Sequence, residues 1–75
     1  MKKQIFDFTG LKCPLPVLKA RRALKSMAIG QLVEITADDP AALIDFQHFC
    51  EISGHKLEQQ SEQGGSFTFL IRKSS

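Results

Sequence analysis

Cys13 is the residue with the most chemistry within its reach. It stands in Asp7-Phe8-Thr9-Gly10-Leu11-Lys12-Cys13-Pro14-Leu15-Pro16, where a short apolar run meets a glycine turn and the turn opens a helical pattern. Prolines are tolerated there because the first N–H groups of a helix have no intrahelical partner. A thiol at that point faces the positive end of the helix dipole, and Lys12, Lys19, Arg21 and Arg22 add charge of the same sign. Both favour the thiolate, which is the nucleophilic form of sulfur. Pro14 and Pro16 supply no N–H, so the sequence predicts a thiolate that is stabilised but not chelated, and open on one side. Because Leu15 precedes a proline, the helix start is left between Pro14 and Pro16. Spacing alone fits a buried structural thiol in a proline-rich turn equally well.

The other polar candidates read as structural. Cys50 shares a helical face with Phe46 and Phe49 and is expected to be a core thiol. His48 and His55 match no standard zinc spacing with the two cysteines, so no metal is expected. Asp38-Asp39-Pro40 is expected to cap a helix, and Asp7 to bond the backbone N–H groups of its own turn.

These residues have to be positioned by a small chain. Seventy-five residues make a single domain, 1–75. A chain of this size buries only about 60% of the surface its unfolded form exposes. That leaves no room for both a core and a deep substrate pocket, and it favours a carrier, a binding module or a subunit over a stand-alone enzyme. A net charge of +2 and a pI of about 8.7 permit an acidic protein partner without demanding nucleic acid. Met1-Lys2-Lys3-Gln4 leads directly into a strand, with no secretory segment and no run long enough to cross a bilayer. The expectation is a cytoplasmic protein with reduced cysteines, and a monomer.

Along the chain, residues 4–8 read as a first strand. Residues 14–28 read as a helix with Val17, Ala20, Leu24 and Met27 inward and Gly30 as its stop. Residues 31–37 form a second strand, with Val33, Ile35 and Ala37 on one face. A second helix follows Asp38-Asp39-Pro40 and runs to about Ser53. It buries Ala42, Leu43, Phe46, Phe49, Cys50 and Ser53, leaves Ile44 and Ile52 off that face, and stops at Gly54. Residues 55–60 are a weak, polar edge strand, Gln63-Gly64-Gly65-Ser66 a hairpin turn, and residues 67–73 a fourth strand. The order βαβαββ predicts an α+β fold. It is a two-layer α/β sandwich with a four-stranded mixed sheet and, since crossovers are right-handed, two helices on one face.

The segment Asp7-x-x-Gly10-x-x-Cys13-Pro14-x-Pro16 resembles the signature of the TusA/SirA sulfur-carrier family. The likeness continues through the element order, Ala37-Asp38-Asp39-Pro40, Phe49-Cys50 and the closing hairpin. It implies sheet order 1-2-4-3 and sulfur carried as a persulfide on Cys13. It also implies a cysteine desulfurase or rhodanese-type donor and a downstream acceptor protein. Members feed tRNA 2-thiouridine formation or other sulfur metabolism, and the carrier is not expected to turn over without those partners. The chemistry is exchange at sulfur, with rates set by thiolate fraction and access, and it needs no cofactor. Leu15 is a departure: the tRNA-thiolation carrier usually has Glu there, and a leucine beside the sulfur alters which partner docks. Pro14, Leu15, Pro16 and Leu18, rimmed by Lys12, Lys19 and Arg22, form the expected docking patch, with an apolar centre and a charged rim. The alternatives are a small RNA-binding module, which would lack the stacking aromatics of an RNP-like sheet, and a thiol-based regulatory adaptor.

Overall fold

The computed structural model describes residues 3–75; the expected entry of Met1 and Lys2 into the first strand lies outside them. The elements are β1 (Gln4–Asp7), α1 (Leu15–Lys25), β2 (Leu32–Ala37), α2 (Ala42–Ser53), β3 (Lys56–Gln63) and β4 (Ser66–Arg72). They form one sheet of order β1-β2-β4-β3, with β1 parallel to β2 and the other two pairings antiparallel. This is the βαβαββ sandwich expected from the sequence.

Strand alternation explains the layering. Val33, Ile35 and Ala37 of β2 stand opposite Ile71, Phe69 and Phe67 of β4, and all six are buried. They meet Ala20 and Leu24 of α1 and Ala42, Phe46 and Cys50 of α2. The Phe46 and Phe69 rings stack at 4.6 Å between centroids and tie α2 to the sheet. Phe8, just past β1, is buried in the same core. Among the described residues no helix is long and apolar enough to cross a membrane.

Three boundaries differ from the sequence reading. α1 ends at Lys25, a turn early, because Ser26 and Lys73 satisfy its last carbonyls. The Ser26 hydroxyl bonds Ala23 O at 3.0 Å, and Lys73 Nζ bonds Leu24 O at 2.7 Å. Gly30, with φ +95°, belongs to the turn into β2 and does not stop the helix. β3 runs on to Gln63, although its residues are polar. Gly64 and Gly65 both adopt positive φ, as a two-residue hairpin turn requires, so backbone pairing with β4 continues up to the turn. α2 begins at Ala42 with no side-chain bond from its N-cap residue Ala41; Asp39 instead accepts the Ala41 N–H, one position ahead of the helix. Its end at Gly54, in the left-handed region, is as expected.

A domain this small has about 3–5 kcal/mol of stability. Removing a fully buried phenylalanine costs about the same. Phe46→Ala is therefore expected to leave the chain largely unfolded, read by circular dichroism and a lost denaturant transition.

Candidate active site

The backbone that presents Cys13 is held by carboxylates. Asp7, at the end of β1, accepts from Thr9 N (3.0 Å) and from the Thr9 hydroxyl (2.6 Å), closing the turn as the sequence suggested. Those bonds hold its carboxyl below the usual range. Gly10 follows with φ +86°, a conformation that suits glycine. From there the loop is anchored across the molecule. Gly10 N–H donates to Asp38 Oδ1 at 2.9 Å, and Cys13 N–H donates to Asp39 Oδ2 at 2.8 Å. The other Asp39 oxygen accepts from Ala41 N–H at 2.9 Å. Asp39 is held below the ordinary carboxylate range by the Cys13 N–H first, then by that of Ala41, with Lys12 adding to it. The expected cap on α2 is thus corrected. Because β1 and β2 are parallel, their ends lie side by side, and the aspartates after β2 serve the loop after β1.

α1 starts at Leu15, with Pro14 in the N-cap position and the Cys13–Pro14 peptide cis. Pro16 is buried, which corrects its place in the docking patch: it seats the helix and is not offered to a partner. Lys12, Pro14, Lys19 and Arg22 are exposed, as are Leu15 and Leu18 at 45% and 49%. Leu15, Leu18, Lys19 and Arg22 line an open groove of about 490 Å³ with Arg21 and Lys25. Lys12 does not line this groove. Arg21 and Lys25 are the residues of this groove that the expected docking patch omitted.

Cys13 itself is exposed. Its thiol donates to Asp45 Oδ2 at 2.7 Å. That bond, then desolvation, then the charges of Asp45 and Asp39, push the thiol above its ordinary value of 9.0. The expectation of a stabilised thiolate is therefore corrected. A full negative charge at hydrogen-bond distance outweighs the partial charge of a helix end that lacks two of its N–H donors. Asp45, in the first turn of α2, was missed. The signal available was its position as an acid beside the buried stripe of Ala42, Phe46 and Cys50.

Of the remaining candidates, His48 lines a cleft beside this turn with Pro14 and Asp45, and Cys50 and His55 lie outside it. Cys50 is buried, and burial pushes its thiol up to about 11, as suits a core residue. His55 accepts from Ser74 N–H through Nδ1 at 3.2 Å, and desolvation lowers its pKa. Among the described residues no group of three or more His, Cys, Asp and Glu side chains is placed to hold a metal ion. What the site offers is one accessible sulfur on a rigid turn, with a proton on it and no enclosing walls.

The chain is similar to known proteins over most of its length. A family model described as sulfurtransferase TusA matches residues 4–73. The sulfur carrier protein TusA of Allochromatium vinosum is 44% identical over 71 residues, covering 95% of this chain and 93% of the relative. The protein of the same name from Pseudomonas putida is 41% identical, covering 95% and 89%. The crystal structure of a SirA-like protein from Desulfitobacterium hafniense superposes with a TM-score of 0.80 over 99% of this chain. At 24% identity it shows the shared fold.

Asp39 anchors the loop only while ionised. Its folded pKa lies below the unfolded value of 3.8, so the stability it contributes is present above that value and is lost as pH falls through the folded one. In an NMR titration the Cys13 amide shift is expected to move with the Asp39 carboxyl, below pH 3.8. Asp39→Ala is expected to speed hydrogen exchange at the Cys13 amide about tenfold at neutral pH.

Proposed function

The chain belongs to the TusA sulfurtransferase family, and from that premise we propose that it is a sulfur carrier whose working atom is Cys13 Sγ. The observation that supports this most directly is an exposed sulfur on a turn fixed at its backbone by Asp38 and Asp39. Relatives named as sulfur carriers share the chain almost from end to end. In loading, Cys13 Sγ attacks the outer sulfur of a donor persulfide supplied by a cysteine desulfurase or rhodanese-type enzyme. The donor's S–S bond breaks, its cysteine leaves with the electron pair, and it takes up the proton that Cys13 gives up. In unloading, an acceptor protein's thiol attacks the outer sulfur of the Cys13 persulfide. Both steps are exchange at sulfur and leave the transferred atom's oxidation state unchanged.

An open sulfur serves this role better than a buried one, because donor and acceptor are themselves proteins that must reach it. The basic groove beside Leu15 and Leu18 gives them a place to land. Apolar contact at its centre supplies affinity, and Lys19 and Arg22 steer an acidic partner.

Incubation with a cysteine desulfurase and cysteine, followed by intact mass measurement, tests the carrier reading. Wild type and Cys50→Ser are expected to gain one sulfur atom, and Cys13→Ser none. Failure of wild type to gain sulfur from either a desulfurase or a thiosulfate-charged rhodanese would overturn it. The landing surface has its own readout. Lys19→Glu with Arg22→Glu is expected to slow loading by an acidic donor at least about tenfold at low salt, with the difference shrinking as salt is added.

A further inference from the structure

Asp45 has a place in the transfer that the loading chemistry does not require. Its Oδ2 lies 2.7 Å from Cys13 Sγ, the atom on which sulfur is made and broken. It is fixed there by α2, whose neighbouring residues Ala42 and Phe46 are locked in the core. We propose that Asp45 sets how tightly this carrier holds sulfur: its carboxylate stabilises the empty thiol of Cys13, disfavours the persulfide anion, and so tilts the loaded carrier toward release. The inference rests on the carrier reading and deepens it.

The two states of Cys13 differ in what they offer Asp45. Empty, Sγ carries a proton and donates it to Oδ2. Loaded, Sγ is bonded to the outer sulfur and has no proton to give. A persulfide is also more acidic than the thiol it came from, so near neutral pH the loaded form brings a second negative charge toward the carboxylate. A hydrogen bond is lost and a repulsion gained. The charged groups around Cys13 divide, with one further acid adding to the effect and two bases opposing it. Asp39 faces it from the loop before α2 and adds to the negative field. Lys12, next in the chain, and Arg21 of α1, which with His48 of α2 lines the cleft that Asp45 borders, are the bases. Asp45 is the group in contact with the sulfur.

Release then balances as follows. The acceptor's S–H bond breaks and its sulfur bonds to the outer sulfur of the Cys13 persulfide anion. The bond from Sγ to the outer sulfur breaks, with its electron pair on Sγ. The proton ends on Sγ, held against Asp45, and the negative charge departs on the acceptor's persulfide. No oxidant or reductant is consumed. The thiol's raised pKa is a consequence of the same contact.

The test uses the full chain, its Asp45→Asn variant, and a small-molecule pair in place of the partner proteins. Each protein is brought to equilibrium at neutral pH with glutathione persulfide and glutathione at one fixed ratio, approached from the empty and the loaded side. Loaded and empty forms are then counted by intact mass. The loaded-to-empty ratio of Asp45→Asn is expected to exceed that of wild type about tenfold. Iodoacetamide alkylation of Cys13, followed by peptide mass across pH, is expected to titrate lower in the variant. Below pH 9 it should run about threefold faster or more, since the gain in thiolate outweighs its lower intrinsic nucleophilicity. Circular dichroism checks that the variant is folded, and Asp45→Ala repeats both measurements if it is not. A loaded-to-empty ratio equal to or below that of wild type overturns the proposal, as does an unmoved alkylation profile. Wild type that takes up no sulfur under any ratio overturns the carrier reading as well, which separates the two failures.

Discussion

Two carboxylates at the end of β2 hold the backbone that follows β1. Asp38 takes the Gly10 N–H and Asp39 takes the Cys13 N–H. This cross-strand anchoring is possible because β1 and β2 run parallel and in register, with Asp7 opposite Thr36. Their C-terminal ends therefore open on the same edge of the sheet. In a parallel pair the loops that leave those ends are neighbours, and the side chains of one can satisfy the amides of the other. The cysteine turn is in this sense a product of sheet topology. An antiparallel first pair would put the two loops at opposite ends and leave the Cys13 amide without its partner.

The anchoring matters because the domain has little else to spend on its site. The buried apolar side chains form one layer between sheet and helices, and its two largest fully buried members, Phe46 and Phe69, stack on each other. Pro16 is drawn into packing as well. What remains for Cys13 is backbone amides, short acids and the exposed flank of α1. A rigid turn made from ionised side chains is a physically economical answer: charge-assisted bonds to backbone N–H groups order a loop that has no core of its own. The cost is a dependence on ionisation that a packed loop would not have.

The fold was legible because its signals are local. Alternation in β2 and β4, the helical stripe of Ala20 and Leu24, Gly54 after α2 and the Gly64-Gly65 turn each act within a few residues, and each agrees with the others. The polar length of β3 was not legible, because its stability comes from the ladder with β4 and not from its own residues. That Cys13 is presented on a turn could be read from its neighbours, but its protonation could not. Dipole and lysine charge were read along the chain, whereas the decisive group, Asp45, arrives from another element 32 residues away. Asp38 and Asp39 were misread for the same reason. Asp-Asp-Pro before a helix is a local pattern with a local meaning, and here parallel pairing gave Asp38 and one oxygen of Asp39 to a loop distant in sequence, leaving the other Asp39 oxygen on the Ala41 N–H.

Exposure and protonation together define what the turn can do unaided. A sulfur open to solvent is within reach of any electrophile, and its reactivity is governed by the thiolate fraction. Asp45 and Asp39 hold that fraction down without covering the atom. Access and reactivity, which usually rise together at a surface thiol, are thereby separated: geometry leaves the sulfur available while electrostatics keeps it quiet. On the proposed reading, a partner seated on the basic flank of α1 would change both factors at once, since it would exclude water and bring its own charges beside the two carboxylates. Reactivity is then conditional on contact, which is the selectivity a domain without a pocket can achieve.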